Sequence, residues 1–221
     1  DLFAHVFGRE AWAGPIHEQI LAAYRSAGCF IRLIPAMPMS DLSNTRAVAP
    51  VAALGRDCRG KLRERIGVAA GERIVLIAFG GFDKDLRAAA WPVTPGARYL
   101  VPESWGVARA DMTAIEALRM NFTDLLCSVD AVLTKPGYGT FTESACNGVP
   151  VLYVSRDDWP EQECLIEWLQ RNASCQEVAL TALLRGELRE ALECLWRQPR
   201  PSPPHPAGAE EAARLIAAHL P

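Results

Sequence analysis

Apolar residues recur along this chain with two different periods, and the two alternate. Residues 73–79, RIVLIAF, form an unbroken β-branched and apolar run that ends at Gly80 and Gly81. A run without polar alternation predicts a strand buried on both faces, as in a parallel sheet. Residues 131–133 (AVL) and 151–154 (VLYV) read the same way. Residues 30–34 and 98–101 are further strands, 114–117 is a short one, and 176–178 is an edge strand. Between these runs the spacing turns helical. Residues 15–27 place Ile16, Ile20 and Tyr24 on one face, with Pro15 in the first turn and Gly28 as the stop. Residues 56–66 turn Leu62 and Ile66 inward. Asn121 or Thr123 caps a helix that runs through 129. A helix beginning near Thr140 is stopped by Gly148-Val149-Pro150, and another follows the turn at 155–160. Residues 182–196 carry Leu184, Leu188, Leu192 and Leu195 at helical spacing, and 210–220 open on Glu210 and Glu211. Residues 1–14 and 86–90 show no clear pattern. Strand and helix alternate from 73 to about 196, which predicts an α/β fold: a Rossmann-like parallel sheet with helices on both faces and 73–79 as its first, central strand.

Two stretches break this rhythm. Residues 35–50 collect Pro35, Pro38, Ser40, Asp41, Ser43, Asn44 and Pro50, the composition of an interdomain linker. Residues 200–206 (RPSPPHP) form a stiff, extended spacer.

Composition narrows the class. The chain has 221 residues, 50% hydrophobic and 22% charged, with a net charge of −3. That balance fits a globular α/β domain and lacks the basic excess of a nucleic-acid partner. No apolar run reaches the ~20 residues that span a bilayer, and the opening DLFAHVFGRE lacks the order of a signal peptide. The 7 cysteines are scattered without a C-x-x-C pair, as in a cytoplasmic protein with reduced thiols. The four histidines show no metal-ligand spacing, and no metal is expected. His17-Glu18 reads as a polar helix face. Arg56, Arg59, Lys61, Arg63 and Arg65 read as a solvated face, with anion binding as the alternative.

The candidate chemistry lies in residues 130–170. Pro136, Gly137 and Gly139 break the chain between a strand and a helix. A Gly-rich loop before a helix N-terminus suits an anion, because the backbone can come close and free N–H groups point outward; a plain tight turn is the alternative. The loop is not a Walker A motif, since Lys135 precedes the glycines, nor a dinucleotide fingerprint, since position 142 is not Gly. Thr140 and Glu143 stand at capping-box spacing. Further on, Asp157, Asp158 and Glu161 crowd one loop beside Arg156. They suit sugar hydroxyls, or acid–base or metal chemistry, and Arg156 offsets the acids or meets a phosphate.

The run DAVLT, the Gly-x-Gly-Thr loop, Glu143-Ser144-Ala145 and Gly148-x-Pro150 resemble the donor-binding half of GT-B glycosyltransferases. The chain is similar to the family that adds N-acetylglucosamine to lipid I. It is closer still to the glycosyltransferase-like N-terminal region of plant arabinokinases, through Ile31-Arg32-Leu33, Gly80-Gly81, the segment from Lys135 to Thr140, and Arg156-Asp157. The resemblance implies a nucleoside diphosphate sugar, UDP-linked, as a substrate rather than a cofactor. It implies Gly80, Gly81 and Gly137 near the donor phosphates, Gly139 and Thr140 on the pyrophosphate, and Glu143 accepting from both ribose hydroxyls. Arg156, Asp158, Gln162 and Glu163 then fall around the donor sugar; Glu163 stands where the family has a second Gln. The implied organisation is a 1–50 tail of an N-terminal acceptor domain plus linker, a 51–199 donor domain, and a 200–221 spacer and helix returning toward the first. Most of the acceptor domain, with the family's catalytic base, is then missing from this chain, and the exposed interdomain face invites self-association. A sugar-nucleotide epimerase of GT-B architecture and a non-catalytic nucleotide-sugar binding module remain alternatives.

Overall fold

The computed structural model describes residues 2–80, 86–156 and 158–219. Eight strands occur in them: β1 (Phe30–Leu33), β2 (Thr45–Val48), β3 (Arg73–Ile77), β4 (Ala97–Val101), β5 (Met112–Ala114), β6 (Ala131–Thr134), β7 (Val151–Tyr153) and β8 (Cys175–Glu177). Nine α-helices join them: α1 (Leu2–Phe7), α2 (Ala13–Ser26), α3 (Arg59–Ile66), α4 (Phe122–Ser128), α5 (Tyr138–Cys146), α6 (Gln162–Asn172), α7 (Leu180–Arg185), α8 (Arg189–Arg197) and α9 (Gly208–Ala217).

Six strands make one parallel sheet in the order β5-β4-β3-β6-β7-β8. Counted from β3, this is the 3-2-1-4-5-6 order of a doubly wound dinucleotide-type fold, with its reversal between β3 and β6. The unbroken apolar runs follow from this position. On β3, Ile74 and Leu76 pack on one face with Leu62 of α3 and Leu125 and Leu126 of α4. Val75 and Ile77 pack on the other with Leu183 of α7 and Leu192 and Leu195 of α8. All four side chains are buried. Farther along the first face, α5 and α6 bring Phe141, Leu165 and Leu169 against Val151 and Tyr153.

Asp130 fixes the amino edge of the two central strands. Its carboxylate accepts from Arg59 Nη1 (2.6 Å) and from the Ile74 N–H (2.8 Å), with Arg63 4.0 Å away. Arg63 also donates to the carbonyls of Ala69 and Glu72, and Arg65 to that of Leu118. Arg59 and Arg63 are therefore tied to their neighbours, in contrast to the solvated face expected, whereas Arg56, Lys61 and Arg65 are exposed as that reading had it.

Other elements differ from the periodicity. Residues 182–196 are two helices. Gly186 separates them with φ +68°, and a Cβ there would lie 2.4 Å from the Trp91 ring. The stretch 35–50 contains β2, which pairs in parallel with β1, and 1–14 contains α1. The short strand expected at 114–117 lies at 112–114. On α2, the buried residues are Ala13 and Leu21, whereas Ile16 and Tyr24 are exposed.

The segment after β2 is held from two sides. The Gly208 N–H donates to the Pro50 carbonyl (3.1 Å), and the Ala49 N–H to Glu211 Oε2 (2.7 Å), so α9 seats against it. On the other side, Asn147 bonds the Ala53 carbonyl and the Gly55 N–H.

Candidate functional site

Two chain breaks meet at the carboxyl edge of β3 and β6. After β3 the chain runs through Ala78 and Phe79 to Gly80, whose φ of +58° belongs to the left-handed region that glycine adopts freely. After β6 it runs through Lys135 and Pro136 into α5. The two exits are tied together: the Ala78 N–H donates to the Leu133 carbonyl (2.9 Å), and Thr134 Oγ1 donates to the Ala78 carbonyl (2.7 Å). Gly80 and the Gly137–Gly139 loop thus share the sheet edge where the strand order reverses, the place where such sheets bind ligands. Gly81 and Asp157 lie outside the described residues.

The start of α5 is open. Its N-cap is Gly137, and no side chain caps it. The first N–H groups of a helix have no partner within it, so this end presents donors and a positive dipole to the crevice. The capping box expected of Thr140 and Glu143 is absent, because both lie inside the helix rather than at its start. The Glu143 carboxylate is half-buried with no hydrogen-bond partner among the described residues, and burial pushes its pKa up.

The loop after β7 supplies the rest. Arg156 forks onto the exposed Asp158 through Nε (3.1 Å) and Nη2 (3.0 Å), and its guanidinium lies 5.3 Å from the Trp159 ring centre. Gln162 Oε1 accepts from the Arg156 N–H (2.7 Å). Glu163 is exposed in the first turn of α6. Of the residues named from sequence, Gly80, Gly137, Gly139 and Thr140 share the edge where the strand order reverses, Glu143 lies farther along α5, and Arg156, Asp158, Gln162 and Glu163 stand between β7 and the first turn of α6.

Two further residues of the Lys135–Thr140 segment, to which the sequence assigned no role, border this site. Lys135 is a half-buried cation at the tip of β6, with its pKa lowered by burial and by the charge of Arg156. Tyr138, the first residue of α5, accepts from the Val51 N–H (2.9 Å) and donates to the Ile34 carbonyl (3.3 Å). It thereby pins both ends of the 35–50 excursion beside the Gly loop. Tyr138→Phe is expected to lower stability by about 1–2 kcal/mol, because it leaves the Val51 N–H without its acceptor. Urea denaturation measures this, and an unchanged midpoint would show that the phenol bears no load.

A cavity of about 640 Å³ opens at the opposite, amino edge of the sheet, lined by Glu72, Trp91, Thr94, Arg98, Arg109 and Asp111 among others. Its charges are already engaged: Arg98 with Glu72 at 3.1 Å and Arg109 with Asp111 at 2.8 Å. The Ala69 N–H and then Arg98 hold the Glu72 carboxyl below the usual range. These groups brace the sheet edge rather than await a ligand. The cysteine thiols are free, and burial pushes Cys146 and Cys175 up to about 11, the behaviour of inert thiols. Among the described residues, no helix is long and apolar enough to cross a membrane.

No protein-family model matches the chain. In sequence it is 26% identical over 176 residues to an L-arabinokinase of Arabidopsis thaliana, a match that covers 79% of this chain and 17% of that protein. In structure it aligns with the glycotransferase of kitacinnamycin over 88% of its length and 55% of that chain, at a TM-score of 0.59 and 16% identity. It aligns with spinosyn forosaminyltransferase over 97% of its length and 66% of that chain, at a TM-score of 0.50 and 18% identity. The fold is the GT-B Rossmann-like fold. The chain spans about a sixth of the arabinokinase and a little over half of the first of these GT-B structures. Within the GT-B fold, the reversal between β3 and β6 places the open end of α5 at the sheet crevice, and the loop from β7 to α6 beside it.

Proposed function

We propose that this chain is the donor-binding part of a GT-B glycosyltransferase and takes up a nucleoside diphosphate sugar, UDP-linked. One observation carries the reading: both glycine-bearing chain exits, after β3 and after β6, lie at the same edge of the sheet where its strand order reverses. The open N-terminus of α5 suits a diphosphate, through the N–H groups around Gly139 and Thr140. The Glu143 carboxylate, half-buried and without a hydrogen-bond partner among the described residues, has the acceptor capacity that two ribose hydroxyls need. The amide of Gln162 and the exposed Asp158 and Glu163 suit the hydroxyls of the donor sugar, and Arg156 balances those acids.

Titration calorimetry with UDP-, GDP- and dTDP-sugars tests this. Saturable binding of a nucleotide sugar is the expected result, with UDP derivatives preferred; no heat from any of them at millimolar concentration would refute it. Transfer to an acceptor is a separate matter. Placing donor, acceptor and base together supplies ~7–11 kcal/mol of such a barrier. This chain spans only part of the glycosyltransferases it resembles in fold. The isolated chain is therefore expected to bind donor without sugar transfer. Robust turnover by purified monomer would show that the chain holds a complete active site.

A further inference from the structure

Arg73 opens β3 at the amino edge of the sheet, at the far end from the crevice. Its N–H donates to the Gly96 carbonyl (2.8 Å), which draws the turn before β4 alongside. Its guanidinium lies over the Trp196 ring, 4.5 Å from the ring centre. That ring is itself anchored, because its indole N–H donates to the Asp130 carbonyl (3.2 Å). Arg197, the next residue on α8, donates through Nε to the Glu193 carbonyl (3.1 Å), a bond that does not use its two terminal nitrogens. These three side chains, with Gly71, Gly96 and Glu193, line a cavity of about 330 Å³.

The acids around this cavity are engaged elsewhere. Glu72 bonds Arg98 (3.1 Å) and the Ala69 N–H (2.8 Å), Asp130 bonds Arg59 (2.6 Å), and Glu193 bonds Arg189 (2.9 Å). Among the described residues, no carboxylate pairs with Arg73 or Arg197. Two guanidiniums therefore border one cavity with their charge unanswered, and a guanidinium already resting on an aromatic ring has less freedom to lose when it binds. The charge and shape of a guest follow. A carboxylate brings one charge and two oxygens, which a single guanidinium fork uses up. A phosphate monoester brings up to two charges and three terminal oxygens, enough for two forks. The volume is at the small end of ligand sites.

We propose that this cavity is a second ligand site, which binds a small phosphate-bearing molecule by its terminal phosphate. Arg73 and Arg197 hold the phosphate oxygens, and Trp196 holds Arg73 in place. The site lies at the opposite end of β3 from the donor crevice and does not depend on the nucleotide reading. Both phosphates of a nucleoside diphosphate sugar are bridged or esterified at each end, so the donor is a poor ligand here.

The indole N–H resonance of Trp196, assigned through its loss in Trp196→Phe, reports binding at this cavity rather than at the start of α5. Titration with inorganic phosphate and with glycerol 3-phosphate, at about pH 8 and fixed ionic strength, is expected to move it saturably at millimolar concentration. Arg73→Met and Arg197→Met are each expected to weaken that binding at least about tenfold. Arg73→Lys is expected to lose most of it as well, because an ammonium keeps the charge and not the fork. Tighter binding of glycerol 3-phosphate marks a phosphate ester as the ligand, and equal affinities mark the free ion. A resonance that both compounds leave unmoved overturns the proposal. So do methionine variants that bind as the wild type does. An Arg73→Lys protein with unchanged affinity overturns it too, since that is general attraction to positive charge. Melting curves of each variant separate loss of fold from loss of contact.

Discussion

Glu143→Gln is expected to weaken nucleotide binding at least about tenfold, since an ionised acceptor of ribose hydroxyls is worth more than a neutral one. It is also expected to leave the melting temperature unchanged or slightly raised. A capping residue would behave in the opposite way, and the structure removes that role: Gly137 is the N-cap, and Glu143 lies inside α5. The pH dependence follows from burial, which lifts the Glu143 pKa above its ordinary 4.5 in the folded chain. A carboxyl raised on folding favours the folded state fully below its unfolded pKa and loses that contribution as pH rises through the folded value. The ionised carboxylate therefore burdens the folded chain at neutral pH, and Gln relieves it. Any gain in melting temperature for the variant is expected at neutral pH and should vanish below about pH 4.5. A large melting loss with unchanged affinity would restore a structural role and remove Glu143 from the site.

Asp130→Ala is expected to cause the largest loss of stability, about 3 kcal/mol. The substitution leaves the Arg59 guanidinium and the Ile74 N–H without their acceptor at the amino edge of β3. For a chain of this size such a loss corresponds to a fall of about 6–12 °C in melting temperature. Asp130→Asn keeps one oxygen for the Ile74 N–H and is expected to lose about half as much. Since the Asp130 side chain is only 14% exposed, added salt should narrow the gap from wild type only in part. Thermal melts of both variants check the ranking. A loss under about 1 kcal/mol for the alanine variant would place the bridge among exposed ion pairs of little consequence. The site lies at the other end of β3, so nucleotide affinity at a temperature where the variant is folded should be unaffected.

The central sheet was legible because burial on both faces leaves no room for polar alternation. The runs at 73–79 and 131–133 announce β3 and β6, and their loops announce the crevice. β2 was hidden for the opposite reason. Its four residues, TRAV, pair only with β1 and expose Arg46 and Ala47, so the Pro and Ser around them dominated the pattern. The break at Gly186 was masked by leucines that keep helical spacing across it. Only the Trp91 ring, nearly a hundred residues away in sequence, shows why no side chain fits there. Arg59 read as solvated because its partner, Asp130, is 71 residues distant. Within the site, the Thr140–Glu143 spacing suggested a closed helix end, whereas the structure leaves that end open.

The most direct test of the account is hydrogen exchange on the described chain with and without a saturating UDP-sugar, read at peptide level. Binding at the reversal of strand order predicts added protection at residues 137–143 and at 78–80, with the amino-edge cavity around Trp91, Arg98 and Arg109 unchanged. Protection confined to that cavity, or none at the start of α5 despite binding, would contradict it.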